Sequence, residues 1–165
     1  MGAEDILEVA PHQHARREAV TLGLYLSIVI LALLVGLSAE DSVEHQMQLI
    51  WGTAIGLSVA HLFAYRMTAV FAAGGKMSEE DWFSILGMTV ATVVIAGLAT
   101  VPYLLIDDPL NANTVAMLLL TTVIGFTAYA TAKKAGLTGA KAIGYTALVL
   151  VGAAIVVAVK YALTH

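Results

Sequence analysis

Ser58, His61, Tyr65 and Thr68 follow one another at intervals of three, four and three residues. On an α-helix that spacing gathers all four within about 80° of one face. Histidine alone among side chains changes charge near neutral pH without help, so a wet face of this make-up could relay protons or gate on pH. Thr89, Thr92, Ala96, Thr100, Tyr103 and Asp107 make a second stripe, again within about 80°. Its inner end is closed by Ile85 on the same face, whereas Ser84 points elsewhere. The plainer reading of both stripes is structural. His61 would then stay neutral and bond a hydroxyl or carbonyl of a neighbouring helix, and the threonines would bond back to their own carbonyls.

Acids cluster beyond the ends of these stretches. Glu40, Asp41, Glu44, Asp107 and Asp108 have no Lys or Arg among them. Together they could concentrate cations at an outer mouth, or simply be solvated loop residues. Other chemistry is missing. There is no cysteine, which excludes disulfides, thiolate nucleophiles and iron–sulfur clusters. Nucleophile-elbow, phosphate-loop, zinc-protease and dinucleotide patterns are absent from the chain. His12 and His14 are not followed by a third ligand at a spacing that would complete a metal site. The residues therefore point to no enzyme, no cofactor, no metal and, without a basic patch, no nucleic-acid partner.

The elements that must position these groups are long and apolar. Of 165 residues, 59% are hydrophobic and 12% charged, with a formal net charge of −4. An ordinary soluble domain carries about twice that share of charged residues. The excess apolar surface has to face something other than water, and a lipid bilayer is the simple partner. The expected fold is an all-α polytopic membrane bundle. Runs long enough for the roughly 20 residues a bilayer requires fall at about 20–38, 47–73, 83–106, 112–132 and 141–163. A cytoplasmic arm over residues 1–19 precedes them, too acidic and too interrupted by Pro11 for a signal-peptide n-region. Five retained spans fit the charges better than cleavage after Ser38. Arg16, Arg17, Arg66, Lys76, Lys133, Lys134 and Lys141 fall on one side of the five-span arrangement, and only Lys160 on the other. The basic side is the cytoplasmic one, which puts the N-terminus in, the C-terminus out and the chain in the plasma (inner) membrane.

Gly52, Gly56, Ala60 and Ala64 form a ridge of small residues along the second span. Such ridges let helix backbones approach closely, either between copies in a homo-oligomer or within one bundle. The stretch WGTAIGLSVAHLFA (residues 51–64), followed by Tyr65-Arg66, resembles the second span of small integral membrane proteins common in actinobacteria. These pair a short acidic loop with an Ala-His-aromatic-Ala pattern. Here the pattern is Ala60-His61-Leu62-Phe63-Ala64, departing at Leu62. The resemblance covers about a quarter of the chain. It implies a bacterial inner-membrane setting and no particular activity. Two functions follow as expectations. One is an oligomeric channel or proton-coupled transporter for a small cation or solute, with Ser58, His61, Tyr65, Thr68, Thr89, Thr92 and Thr100 along the path. The other is a non-catalytic accessory or scaffold subunit of a larger membrane complex.

Overall fold

Each of the five apolar stretches forms one long helix in the computed structural model: α1 (Pro11–Val35), α2 (Val43–Ala72), α3 (Glu79–Leu105), α4 (Pro109–Lys134) and α5 (Gly139–Thr164). The structure describes residues 11–37, 41–72 and 79–164, and no strand occurs among them. Local chemistry explains the helix ends. The described part of α1 begins at Pro11, a residue that a first helical turn tolerates because proline has no N–H to lose. The helix reaches back past the expected apolar run, into the arm drawn over residues 1–19, and carries Arg16 and Arg17. Ser42 caps α2, its Oγ accepting from the His45 amide at 3.2 Å. Asp108-Pro109, an acid followed by a residue that cannot continue a helix, reads as the end of the third helix. α3 stops earlier, at Leu105, and the motif instead opens α4. Asp108 is extended, its carboxylate accepts from the Leu110 amide at 3.4 Å, and Pro109 takes the first helical position. Between α4 and α5, Gly136 adopts φ +79°. The amide of Leu137 reaches Ala132 O, and that of Gly136 reaches Lys133 O, each at 3.1 Å, which is a Schellman ending.

The helices run up and down. Tyr65 near the end of α2 meets Asp81 at the start of α3. Tyr103 near the end of α3 meets Asn113 at the start of α4. α1 packs against each of the other four helices, most broadly against α3; α2 flanks α1 and α3, and α5 flanks α4 and α1. Leu22, Leu26, Ile30 and Leu34 give α1 a fully buried ridge at four-residue spacing. α4 answers with Ala112, Ala116, Leu120, Ile124, Ala128 and Ala132, mostly small residues that let it lie close. Asn113 joins three helices: its amide accepts from the Tyr103 hydroxyl at 3.1 Å and donates to Leu34 O at 3.1 Å.

Large apolar side chains cover the outside as well as the core. Phe71 is 90% exposed, and Ile55, Val59, Phe63, Leu86, Leu104, Phe126, Leu148 and Ile155 also point away from the bundle. In water so much contiguous apolar surface would drive aggregation or association. The five helices are long and apolar enough to cross a membrane, and lipid matches that exterior.

Candidate functional site

The two polar stripes meet at one point. α2 turns Gln46, Ile50, Ala54 and Ser58 inward, and α3 turns Ser84, Met88, Thr92, Ala96, Thr100 and Tyr103 inward. Where they touch, Ser58 Oγ lies 2.5 Å from Thr92 Oγ1. Thr92 also donates to Met88 O at 2.9 Å. Its single proton is thus spent on that carbonyl, and Ser58 is the donor to Thr92. The hydroxyl chain ends on a backbone carbonyl, which cannot pass a proton on.

The remaining threonines divide. Thr100 is buried and bonds Ala96 O at 2.9 Å. Thr89 and Thr68 face outward and bond Ile85 O and Ala64 O, each at 2.9 Å. Thr89 accordingly leaves the buried face, and Ser84, expected to point elsewhere, belongs to it and is fully buried. The buried positions advance by four, then by three and four, so the true face is rotated from the one drawn through Thr89. Tyr103 is likewise a core residue, 5% exposed, although a tyrosine near a helix end suggests an interfacial ring.

Below the Ser58–Thr92 contact lies a group of titratable side chains. The Tyr65 hydroxyl donates to Asp81 Oδ1 at 3.0 Å, with Ser84 beside it and the Glu18 carboxylate of α1 facing it. One turn deeper along α2 is His61. Its Nε2 is buried and makes no hydrogen bond among the described residues. The side chain borders a groove of about 390 Å³ between α1 and α2, lined also by Thr21, Leu22, Tyr25, Leu57 and Ala60. The next residues around the helix are bare: Gly52, Gly56 and Ala60 are exposed, and a Cβ built on Gly52 or Gly56 would meet no atom within 4 Å. The small-residue ridge of α2 thus faces away from its own bundle.

The acidic residues are spread along the opposite end. Glu44 and both Asp107 and Asp108 are exposed, Asp41 is half-buried, and Glu40 lies outside the described residues. Asp108 is engaged as the α4 cap, and Asp41 O accepts from Gln46 Nε2 at 3.1 Å. Among the described residues no three His, Asp or Glu side chains gather as a metal site; the side chains of His12 and His14 are not among them. The Asn113 link between Tyr103 and Leu34 was not foreseen. An asparagine inside an otherwise apolar run was the signal that could have found it.

Fold and site together define an all-helical bundle with five helices that could span a membrane. No protein-family model, curated protein or solved structure matches the chain.

Proposed function

We propose that this is an integral protein of the bacterial plasma membrane, N-terminus in the cytoplasm and C-terminus outside, acting as a homo-oligomeric channel or proton-coupled transporter of a small cation or solute. The observation that carries the proposal is His61. Its buried Nε2 has no hydrogen-bond partner among the described residues, and it borders a groove beside the bare Gly52–Gly56–Ala60 ridge. A buried polar nitrogen without a partner costs about 1–3 kcal/mol, and a polar group at membrane depth needs a partner or a purpose. Copies packing through the α2 ridge would enclose the groove, so the path forms between copies and the Ser58–Thr92 contact remains a closed structural seam. Glu18, Tyr65 and Asp81 would receive protons at the cytoplasmic mouth. Glu40, Asp41, Glu44, Asp107 and Asp108 would attract cations at the outer one.

The test is proton and cation flux into liposomes holding purified protein, at acidic and at neutral pH, with His61→Ala alongside. Flux in the wild type that the variant loses, or no longer varies with pH, supports the reading. Absence of flux from folded, inserted protein overturns it. That second result would favour a non-catalytic accessory subunit, a reading supported by hydroxyls whose protons go to carbonyls within the bundle. It predicts co-purification with a larger membrane partner in fixed ratio.

A further inference from the structure

Arg16 and Arg17 on α1 and Lys134 on α4 border one cavity of about 650 Å³ at the end of the α1–α4 seam, over a floor that includes Val20 and Leu24. None of the three cations is bonded to a carboxylate among the described residues. The hydroxyls in the cavity do not serve as donors to a ligand. Thr21 donates to Arg17 O at 2.9 Å and Thr131 to Thr127 O at 2.8 Å. An anion seated here would be held by cationic side chains alone. That suits a phosphate at a wet interface better than one enclosed by neutral donors.

Arg16 and Val20 also border a second groove, of about 280 Å³, between α1 and α3. Gly23, Gly87 and Ala91 leave space there between walls that include Val90 and Val94. From Gly87 to Val94 the groove follows α3 for about 10 Å. Val20 thus stands between the basic cavity, whose apolar floor is Val20 and Leu24, and the apolar α1–α3 groove, at the boundary where α1 and α4 enter their apolar spans. A negatively charged head with a hydrocarbon tail running off beside it has this shape.

We infer that the α1–α4 end is a binding site for an anionic phospholipid, its phosphate held by Arg16, Arg17 and Lys134 and an acyl chain lying past Val20 in the α1–α3 groove. Basic pockets between membrane helices take such headgroups by charge, with little regard to the rest of the head. The site requires neither the transport reading nor a choice of which face is cytoplasmic.

Native mass spectrometry of detergent-purified protein, with phosphatidylglycerol and phosphatidylcholine added in equal amounts, tests it. The wild type retains phosphatidylglycerol preferentially. Arg16→Gln, Arg17→Gln and Lys134→Gln each lower that preference about fivefold, while Arg66→Gln and Lys141→Gln leave it unchanged. Val20→Trp keeps every charge but crowds the cavity floor and the mouth of the α1–α3 groove, and it lowers retention of phosphatidylglycerol too. Equal retention of the two lipids, or equal losses in the Arg66 and Lys141 variants, overturns the assignment. So does displacement of the lipid by millimolar inorganic phosphate, which would make the cluster a site for free phosphate.

Discussion

Asn113 does more for this bundle than its place in the sequence suggests. One side-chain amide accepts from Tyr103 of α3 and donates to the Leu34 carbonyl at the end of α1. Interhelical hydrogen bonds in membrane proteins contribute about 0.6 kcal/mol on average and about 1.7 at most. Asn113→Ala loses both and should cost about 1–2 kcal/mol in reversible unfolding from mixed micelles. Tyr103→Phe loses one and should cost about half as much. Equal, negligible losses would mean that the amide only fills space. The sequence placed Tyr103 on the polar stripe of the third span without naming a partner for it. An amide in a mainly apolar helix hinted at its partner, but Asn111 and Asn113 both offer one, and only the packed bundle shows that Asn113 is the one turned inward. His61 illustrates the opposite case. A lone histidine within a span is conspicuous in any reading, but only the packed bundle reveals that its Nε2 has no partner among the described residues.

Among the helices, existence was legible and ends were so to within a few residues except at the start of α1, whereas rotation was not. Lengths follow from apolar runs, and punctuation such as Gly136 is readable because few residues adopt φ +79° without strain. Gly136→Ala keeps the two amide bonds only in a left-handed backbone that costs an alanine about 1–2 kcal/mol. It should lower stability by that amount, against a Gly139→Ala control, which lies inside α5. Rotation is harder to read because lipid is as apolar as a protein core, so a buried face and an outer face share one composition. That is how Thr89 was placed on the inward face of α3 and Ser84 off it. The small-residue ridge of α2 was expected to pack within one bundle rather than between copies, and it is instead exposed on the single chain. A Cβ added at Gly52 or Gly56 meets no atom within 4 Å, so with Gly52→Ile and Gly56→Ile helix content and monomer stability should hold. Self-association through this face should weaken at least tenfold in a dilution series in detergent, since two bulky side chains would separate the backbones. Unchanged association would move the interface elsewhere, with α5 the next broad exposed face.

For the whole molecule the decisive quantity is which end faces the cytoplasm, and the fold sharpens the charge argument. The up-and-down order gathers Arg16, Arg17 and Lys134 around one cavity, with the ends of α2 and α5 that carry Arg66 and Lys141 on the same side. The one basic residue at the far side, Lys160, is accounted for by packing. Its ammonium lies over Gly36, where an added Cβ would stand 3.3 Å from Nζ, and the carbonyl end of α1 favours a cation there. A lysine held in that way says little about translocation, so the asymmetry of free basic groups is complete among the described residues. The chain has no native cysteine, so single substitutions report position without background. Asp107→Cys, in the exposed α3–α4 turn, should react with a membrane-impermeant maleimide on intact cells. Ala140→Cys, exposed at the start of α5, should react only after the cells are opened. The reverse pattern would turn the molecule over and carry the acidic residues to the cytoplasmic side. Glu18, Tyr65 and Asp81 would then become the outer entrance to any path past His61, while the pairing of helices and the basic cluster between α1 and α4 would stand unchanged.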